Sequence, residues 1–283
     1  MTMKAVVGMD GSKYGEWALE WLSQLPFGRL PTVVGVHGID LQSEPAPLLT
    51  HPSISGNEPD VGEAIHFIES RAKQVVGDAQ QRMKALGLKG SVRVERKAIA
   101  KALLKHAGSN GFVVVGSRGL NVLDQVTLGS VSAAVTLHAP CPVLVVKEPS
   151  KPIRRILFAT DGSPSSDKAR GFLVKQFRIK ADAQPVVILL VHVMPFLRYL
   201  AVKESGEQLL AQEAAKLEKA GYRVRQFPRV GPAADEIMKV VGREQPDLIV
   251  TGAKGRSAVA RFLQGSVSMK IVQRSDCSVL VVR

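Results

Sequence analysis

Short, nearly unbroken apolar runs recur along this chain. Each is followed by a turn of Gly, Asp, Ser or Pro and then by a stretch with helical spacing. In the second half, 153–160, 186–193, 222–227, 247–251 and 278–282 read as strands. Stretches 163–177, 202–220, 233–243 and 266–274 read as helices. Ser163 is the expected N-cap of the first, with Pro164 in its first turn, and Gly221 is a stop after the second. The first half repeats the plan, with strands near 4–9, 32–37, 91–97, 112–115 and 142–146. Val/Ile/Leu runs without alternation imply burial on both faces, and alternation with helices implies parallel βαβ units.

The second half also repeats the first residue by residue. Val6-Val7-Gly8-Met9-Asp10-Gly11-Ser12 returns as Leu157-Phe158-Ala159-Thr160-Asp161-Gly162-Ser163. Residues 129–146 match 265–282 at 9 of 18 positions, and Cys141 and Cys277 precede equivalent Val-Leu-Val-Val runs. A polar linker with two prolines, Lys147 to Pro152, separates the copies. The expected architecture is α/β: two tandem doubly wound, Rossmann-like domains, 1–148 and 153–283. Each would be a five-stranded parallel sheet with helices on both faces. Such sheets bind ligands beyond the carboxyl ends of their strands, where the strand order reverses. One connection differs: 40–60, rich in Pro, Ser, Gly and Asn, reads as a long loop, replaced by about eight residues in the second half.

Composition adds little except in charge. The chain has 283 residues, 45% hydrophobic and 22% charged, the profile of a soluble globular protein. No run approaches the roughly 20 apolar residues of a membrane span, and the start is unlike a signal peptide, so a cytoplasmic location is expected. Two cysteines give neither a disulfide framework nor a metal site. The net charge of +13 is lopsided: 15 basic and 13 acidic residues lie in 1–150, against 23 and 12 in 151–283. That excess suits nucleic acid, an anionic membrane or a phosphate ligand, or is a solvated basic face.

The candidate chemistry follows the fourth strand of each copy. Gly116-Ser117-Arg118-Gly119, nine residues, then Gly129-Ser130-Val131-Ser132 matches Gly252-Ala253-Lys254-Gly255, nine residues, then Gly265-Ser266-Val267-Ser268. Glycines let backbone N–H groups approach an anion, and a helix opening at the serine offers free N–H groups and a positive dipole end. Ser130, Ser132, Ser266 and Ser268 could add hydroxyl donors. A tight loop with an ordinary serine cap is the plainer alternative.

These motifs, with the strand-ending Asp-Gly-Ser and the Cys-Pro-Val-Leu-Val-Val of the first copy, resemble the ATP-binding class of universal stress proteins. The resemblance spans nearly the whole chain, once per half. It implies ATP or another adenine nucleotide, with or without Mg2+, whose phosphates and ribose sit in the glycine loop. Met9-Asp10 and Ala159-Thr160-Asp161 would then meet the ribose or adenine side. Gly38 and Val193 would meet adenine through backbone groups. The family also implies a two-fold assembly through the last strand, which duplication turns into a pseudo-dimer within one chain; whether two chains pair further is open. His37 and His192 read as residues packed at strand ends.

The copies depart from one another. The second has Gly231-Pro232 and Asp247, familiar in the family, where the first has Lys97-Ala98 and Gly111. Gly38 stands where a β-branched residue usually lines the adenine site. Lys254, Arg256 and Arg261 have no acid near them in the loop, whereas Arg118 is offset by Asp124, so the second site is expected to bind more tightly. A P-loop, a Gly-x-Gly-x-x-Gly fingerprint and a nucleophile–base pair are all missing, so vigorous catalysis is not expected. Three readings follow: a nucleotide-binding regulatory or sensor protein with an unidentified protein partner, a weak ATPase or other adenine-nucleotide enzyme, and a basic module binding nucleic acid through Lys168, Arg170, Lys175, Arg178 and Lys180.

Overall fold

A computed structural model describes residues 3–39, 61–96, 98–119, 128–178, 185–196, 199–255 and 266–283; the side chains of 61–64, 199–202 and 266 are not described. The 40–60 connection, Lys97, Asp124, Lys180, Arg256, Arg261 and Gly265 lie outside these residues.

The first half runs β1 (Lys4–Gly8), α1 (Lys13–Gln24), β2 (Thr32–Gly38), α2 (Val61–Ala85), β3 (Gly90–Glu95), α3 (Ile99–Ala107), β4 (Gly111–Gly116), α4 (Ser130–His138) and β5 (Val143–Val146). The second runs β6 (Arg155–Ala159), α5 (Pro164–Gln176), β7 (Val187–Met194), α6 (Tyr199–Lys219), β8 (Arg223–Val230), α7 (Ala233–Glu244), β9 (Leu248–Gly252), α8 (Ser266–Arg274) and β10 (Val279–Val282). Helical spacing drives the docking of the helices. On α2, Ile68, Ala72, Val75, Ala79 and Met83 are buried at steps of three and four.

The ten strands form one sheet in the order β3-β2-β1-β4-β5-β10-β9-β6-β7-β8. Pairing is parallel within each half and antiparallel only between β5 and β10, where Val143, Leu144 and Val145 face Val281, Leu280 and Val279. The last strands thus join the two five-stranded sheets edge to edge, the pseudo-dimer within one chain. Each face of the sheet carries a core that runs across the seam: one with Trp21, Phe112, Phe158 and Leu280, the other with Leu103, Val143, Ile271 and Val281. Phe27, Phe112, Phe172 and Phe177 add an aromatic cluster from both halves, with centroids 5.5–5.8 Å apart. The Trp21 indole N–H donates to the Glu148 carbonyl at 2.8 Å and fixes the linker.

The outer strands β3 and β8 are half-exposed and carry Arg93, Arg223, Arg225 and Arg229. Charge on an edge strand opposes further pairing. β8 continues to Val230, past the expected end at 227, because Pro228 lies on an edge where one side of the ladder needs no partner.

Candidate functional site

In each half the chain order reverses direction beside the first strand, so the carboxyl ends of β1 and β4, and of β6 and β9, border a crevice. The turn after the first strand is built the same way twice. Gly11 and Gly162 adopt left-handed φ of 77° and 71°, which an aspartate–glycine pair permits. Ser12 and Ser163 cap α1 and α5, accepting from the Gly15 and Ser166 N–H groups. Asp10 Oδ1 accepts from the Ser12 N–H at 2.9 Å and its hydroxyl at 2.6 Å; Asp161 Oδ1 accepts from the Ser163 N–H at 3.0 Å.

The other carboxylate oxygen turns to the glycine loop. A Cβ on Gly119 would stand 2.8 Å from Asp10 Oδ2, and one on Gly255 2.9 Å from Asp161 Oδ2. The two glycines therefore keep backbone directly against a carboxylate. Gly116 and Gly252 have a different reason. A Cβ there would meet Tyr14 Cβ at 2.4 Å, or the Ser165 backbone at 2.7 Å, so these positions let the strand end pack on the first turn of α1 or α5. The expectation that every glycine of the motif opens backbone to an anion is thus narrowed to the later ones.

The loop is braced from below. Ser117 N–H donates to Val146 and Ala253 N–H to Val282, so each loop stays paired with the last strand. Gly129 N–H donates to the Ser117 carbonyl at 2.7 Å, closing the excursion in the first half. The hydroxyl protons of Ser132 and Ser268 go to the Gly116 and Ala253 carbonyls at 2.5 and 3.3 Å. Those buried serines hold the loop and do not donate to a ligand in this arrangement. Gly129 caps α4 with no side-chain bond, so the first-turn N–H groups, with Ser130 exposed and Val131 half-buried, face the crevice mouth without a protein cap. α8 begins at Ser266, the equivalent position of the second half. In the second half two more bonds clamp loop to helix: Ser163 Oγ donates to the Lys254 carbonyl and Lys254 N–H to Ser165 Oγ, both at 3.2 Å.

Residues 1–147 and 152–283 each match the model of the Universal stress protein family. The chain belongs to this family. It is 30% identical over 232 residues to a universal stress protein of Mycolicibacterium smegmatis, covering 78% of this chain and 76% of that one. It is 26% identical over 298 residues to one of Mycobacterium tuberculosis strain H37Rv, covering 98% and 96%. A solved universal stress protein from Archaeoglobus fulgidus superposes with a TM-score of 0.71 at 21% identity, over 99% of this chain and 98% of that one.

This universal stress protein uses its strand-end histidines more than the sequence suggested. His37 Nδ1 lies 2.7 Å from the Met9 carbonyl, and His192 Nδ1 2.9 Å from the Thr160 carbonyl. A carbonyl only accepts, so each Nδ1 carries the proton and holds the residue that precedes the aspartate. Their recurrence at one position of both copies was the available signal. Glu236, also missed, is buried at the start of α7, accepts from Arg229 and Lys239, and packs 3.2 Å from the Cβ position of Gly231. The Lys239 ammonium bonded to it, with Arg229 beside it, holds its carboxyl below the usual range.

The two crevices differ at the ends of β2 and β7. A Cβ on Gly38 would stand 2.9 Å from Ile99 Cβ, so the α3 isoleucine occupies space that a side chain at 38 would take. Val193 carries its own half-buried side chain, and α7 opens with Ala233 and Ala234. The loops differ as well: Arg118 is half-buried, Lys254 exposed. One residue past β5, Lys147 is desolvated, with Arg118 adding like charge and Asp276 opposing, which lowers its ammonium to about 8. No group of three His, Cys, Asp or Glu suited to a metal exists among the described residues, and none of their helices is long and apolar enough to cross a membrane.

Proposed function

We propose that this universal stress protein binds ATP, or a related adenine nucleotide, once per domain (1–148 and 153–283) and works as a cytoplasmic regulatory or sensing protein in stress or growth arrest. The carrying observation is the twice-built crevice in which a carboxylate oxygen lies where a side chain on Gly119 or Gly255 would stand, beside a helix N-terminus. In this reading the phosphates lie on Gly119, Gly129, Ser130 and Val131, and on Gly255, Gly265, Ser266 and Val267. Asp10 and Asp161 accept from ribose hydroxyls. Adenine meets backbone at Met9 and Gly38, or at Thr160 and Val193. Gly116, Ser117, Ala159, Gly252 and Ala253, with Ser132 and Ser268, shape the loop, while Arg118 and Lys254 supply charge. Mg2+ would arrive on the phosphates. In this reading the nucleotide is recognised rather than turned over: among the described residues no side chain at the site is placed as a general base for water. Any shape change passed to a protein partner, or to a second copy, is limited by the nucleotide's differential affinity for the two shapes.

Titration calorimetry of ligand-stripped protein with ATP, ADP, AMP and cyclic AMP tests this. Saturable heat with at least one adenylate is expected; none from any of the four refutes it. Turnover well above about 1 per minute would favour the ATPase reading. The nucleic-acid reading is weakened by how the basic residues are engaged. Arg170 bonds Asp167 and Glu213, Lys216 bonds Glu213, and Arg225 bonds Glu244. Arg178 folds back over Gly28 at the seam.

A further inference from the structure

The pseudo-two-fold relation between the halves is broken on the seam where Ser165 and Lys168 stand at the positions of Tyr14 and Trp17. A cleft of about 860 Å³ opens between the end of α4 and the first turns of α5, with the loop after β9 as a third wall. His138, Lys168, Lys254 and Arg283 line it, and among the described residues no aspartate or glutamate side chain does. Lys168 and Lys254 are exposed and form no ion pair among the described residues. Asp167, beside Lys168 in sequence, is tied to Arg170 at 2.7 Å. Arg283 donates to the Thr136 carbonyl, while its Nε is buried without a hydrogen-bond partner. Burial lowers the pKa of that guanidinium, the mark of a cation short of solvent and of counter-charge. The 13-residue helix α5 points its N-terminal end, Gly162 to Ser165, into the same space.

The equivalent positions of the first half carry other chemistry. Four residues past the aspartate stands Ser165 in one copy and Tyr14 in the other; seven past stands Lys168 against Trp17. The Tyr14 and Trp17 rings meet edge to face at 4.9 Å, with the Lys13 ammonium 5.4 and 5.5 Å from their centroids. One residue before the cysteine, Asp276 stands where the second cleft has Pro140. One copy thus holds two rings where the other holds a hydroxyl and an ammonium, while Lys254 and Arg283 have basic counterparts in Arg118 and Lys147. A change of structural need alone does not explain a cluster of unpaired cations around a void, because like charges gathered without counter-ions destabilise.

We propose that this seam cleft is a binding site for a multiply charged phosphate-type oxyanion of pyrophosphate to tripolyphosphate size. It is distinct from the Asp161 face of the loop, and its existence does not depend on the nucleotide reading. The stretch Ala253-Lys254-Gly255 is the wall between the two: one side faces Asp161, the other the cleft. The oxyanion has two sources, a free oligophosphate or the outer phosphates of a nucleotide seated beyond that wall.

Calorimetry with tripolyphosphate, AMP and ATP at low salt tests it, on the full chain and two variants. Lys168→Ala removes one cation from an exposed helix face. Ser165→Tyr with Lys168→Trp transplants the first-half rings into the cleft. Tripolyphosphate is expected to bind the parent, about tenfold more weakly to K168A, and not measurably to the double variant, with thermal melting confirming that both fold. AMP heats, which report the Asp161 side, are expected to stay unchanged in K168A, which leaves the bond from the Lys254 N–H to Ser165 Oγ in place. A concurrent drop in ATP affinity would identify the nucleotide's outer phosphates as the source, and unchanged ATP affinity a free oligophosphate. No tripolyphosphate binding to the parent, or equal binding to the folded double variant, overturns the proposal. Loss of all adenylate binding with tripolyphosphate binding retained would overturn only the nucleotide reading.

Discussion

Asp161 divides its two oxygens between two tasks. Oδ1 closes the turn onto the Ser163 N–H, and Oδ2 lies against Gly255 where a ligand hydroxyl could reach it. Asp161→Ala removes both, so nucleotide affinity at the second site should fall by about tenfold or more, the scale of a charge-assisted hydrogen bond. Asp161→Asn keeps an acceptor for the turn and loses the charge, so calorimetry should place it between the two while its melting temperature stays near the parent's. Equal affinities for all three proteins would remove Asp161 from the binding site. The cysteines lie at the other extreme of usefulness. Burial pushes the Cys141 thiol up to about 11 and the Cys277 thiol higher still. A thiol held protonated is a poor nucleophile. Native protein at pH 8 should therefore react negligibly with a disulfide reagent over minutes, and unfolded protein should release two equivalents.

At the scale of elements, β5 is followed directly by a lysine that burial desolvates. The folded pKa of Lys147 is lowered to about 8 from an ordinary value of 10.5, so below pH 8 the chain bears the full penalty of a buried cation. As pH rises from 8 to 10.5 the folded protein releases the proton first and the penalty fades. Lys147→Met should accordingly raise the melting temperature by about 3 °C at pH 7, with the gain shrinking across that window. A gain that does not vary with pH would mean that packing, not charge, is responsible. Elements of this kind were legible in the sequence to different depths. The central strands stood out because a parallel strand covered on both faces must be apolar throughout. The end of β8 did not, since a proline marks a stop in a central strand but not on an edge. Gly116 and Gly252 were visible as part of the glycine motif, yet their reason, helix α1 or α5 packed onto the strand end, depends on contacts with Tyr14 and Ser165, 102 and 87 residues distant in sequence. The seam cleft was invisible, because three separate segments bring Lys168, Lys254 and Arg283 together.

At the scale of the whole molecule, the seam is an interface whose two sides have the same sequence. β5 and β10 both read Val-Leu-Val-Val, pair antiparallel, and place Leu144 opposite Leu280 at the centre of the local two-fold. All eight residues are buried. Neither half can present such an edge to water without inviting another strand. A fragment of residues 153–283 retains its own five strands, so its exposed β10 should pair with β10 of a second fragment, with Leu280 opposite Leu280. Light scattering behind a sizing column should report a dimer at micromolar concentration. Leu280→Lys, which puts like charges directly opposite one another at that centre, should give a monomer or an insoluble chain. The self-pairing will be weaker than the native seam, since Phe27 and Phe112 of the first half are absent from the cluster around Phe172 and Phe177. A folded fragment that stays monomeric at high concentration would show that the aromatic cluster and the linker, rather than the paired last strands, hold the two halves together.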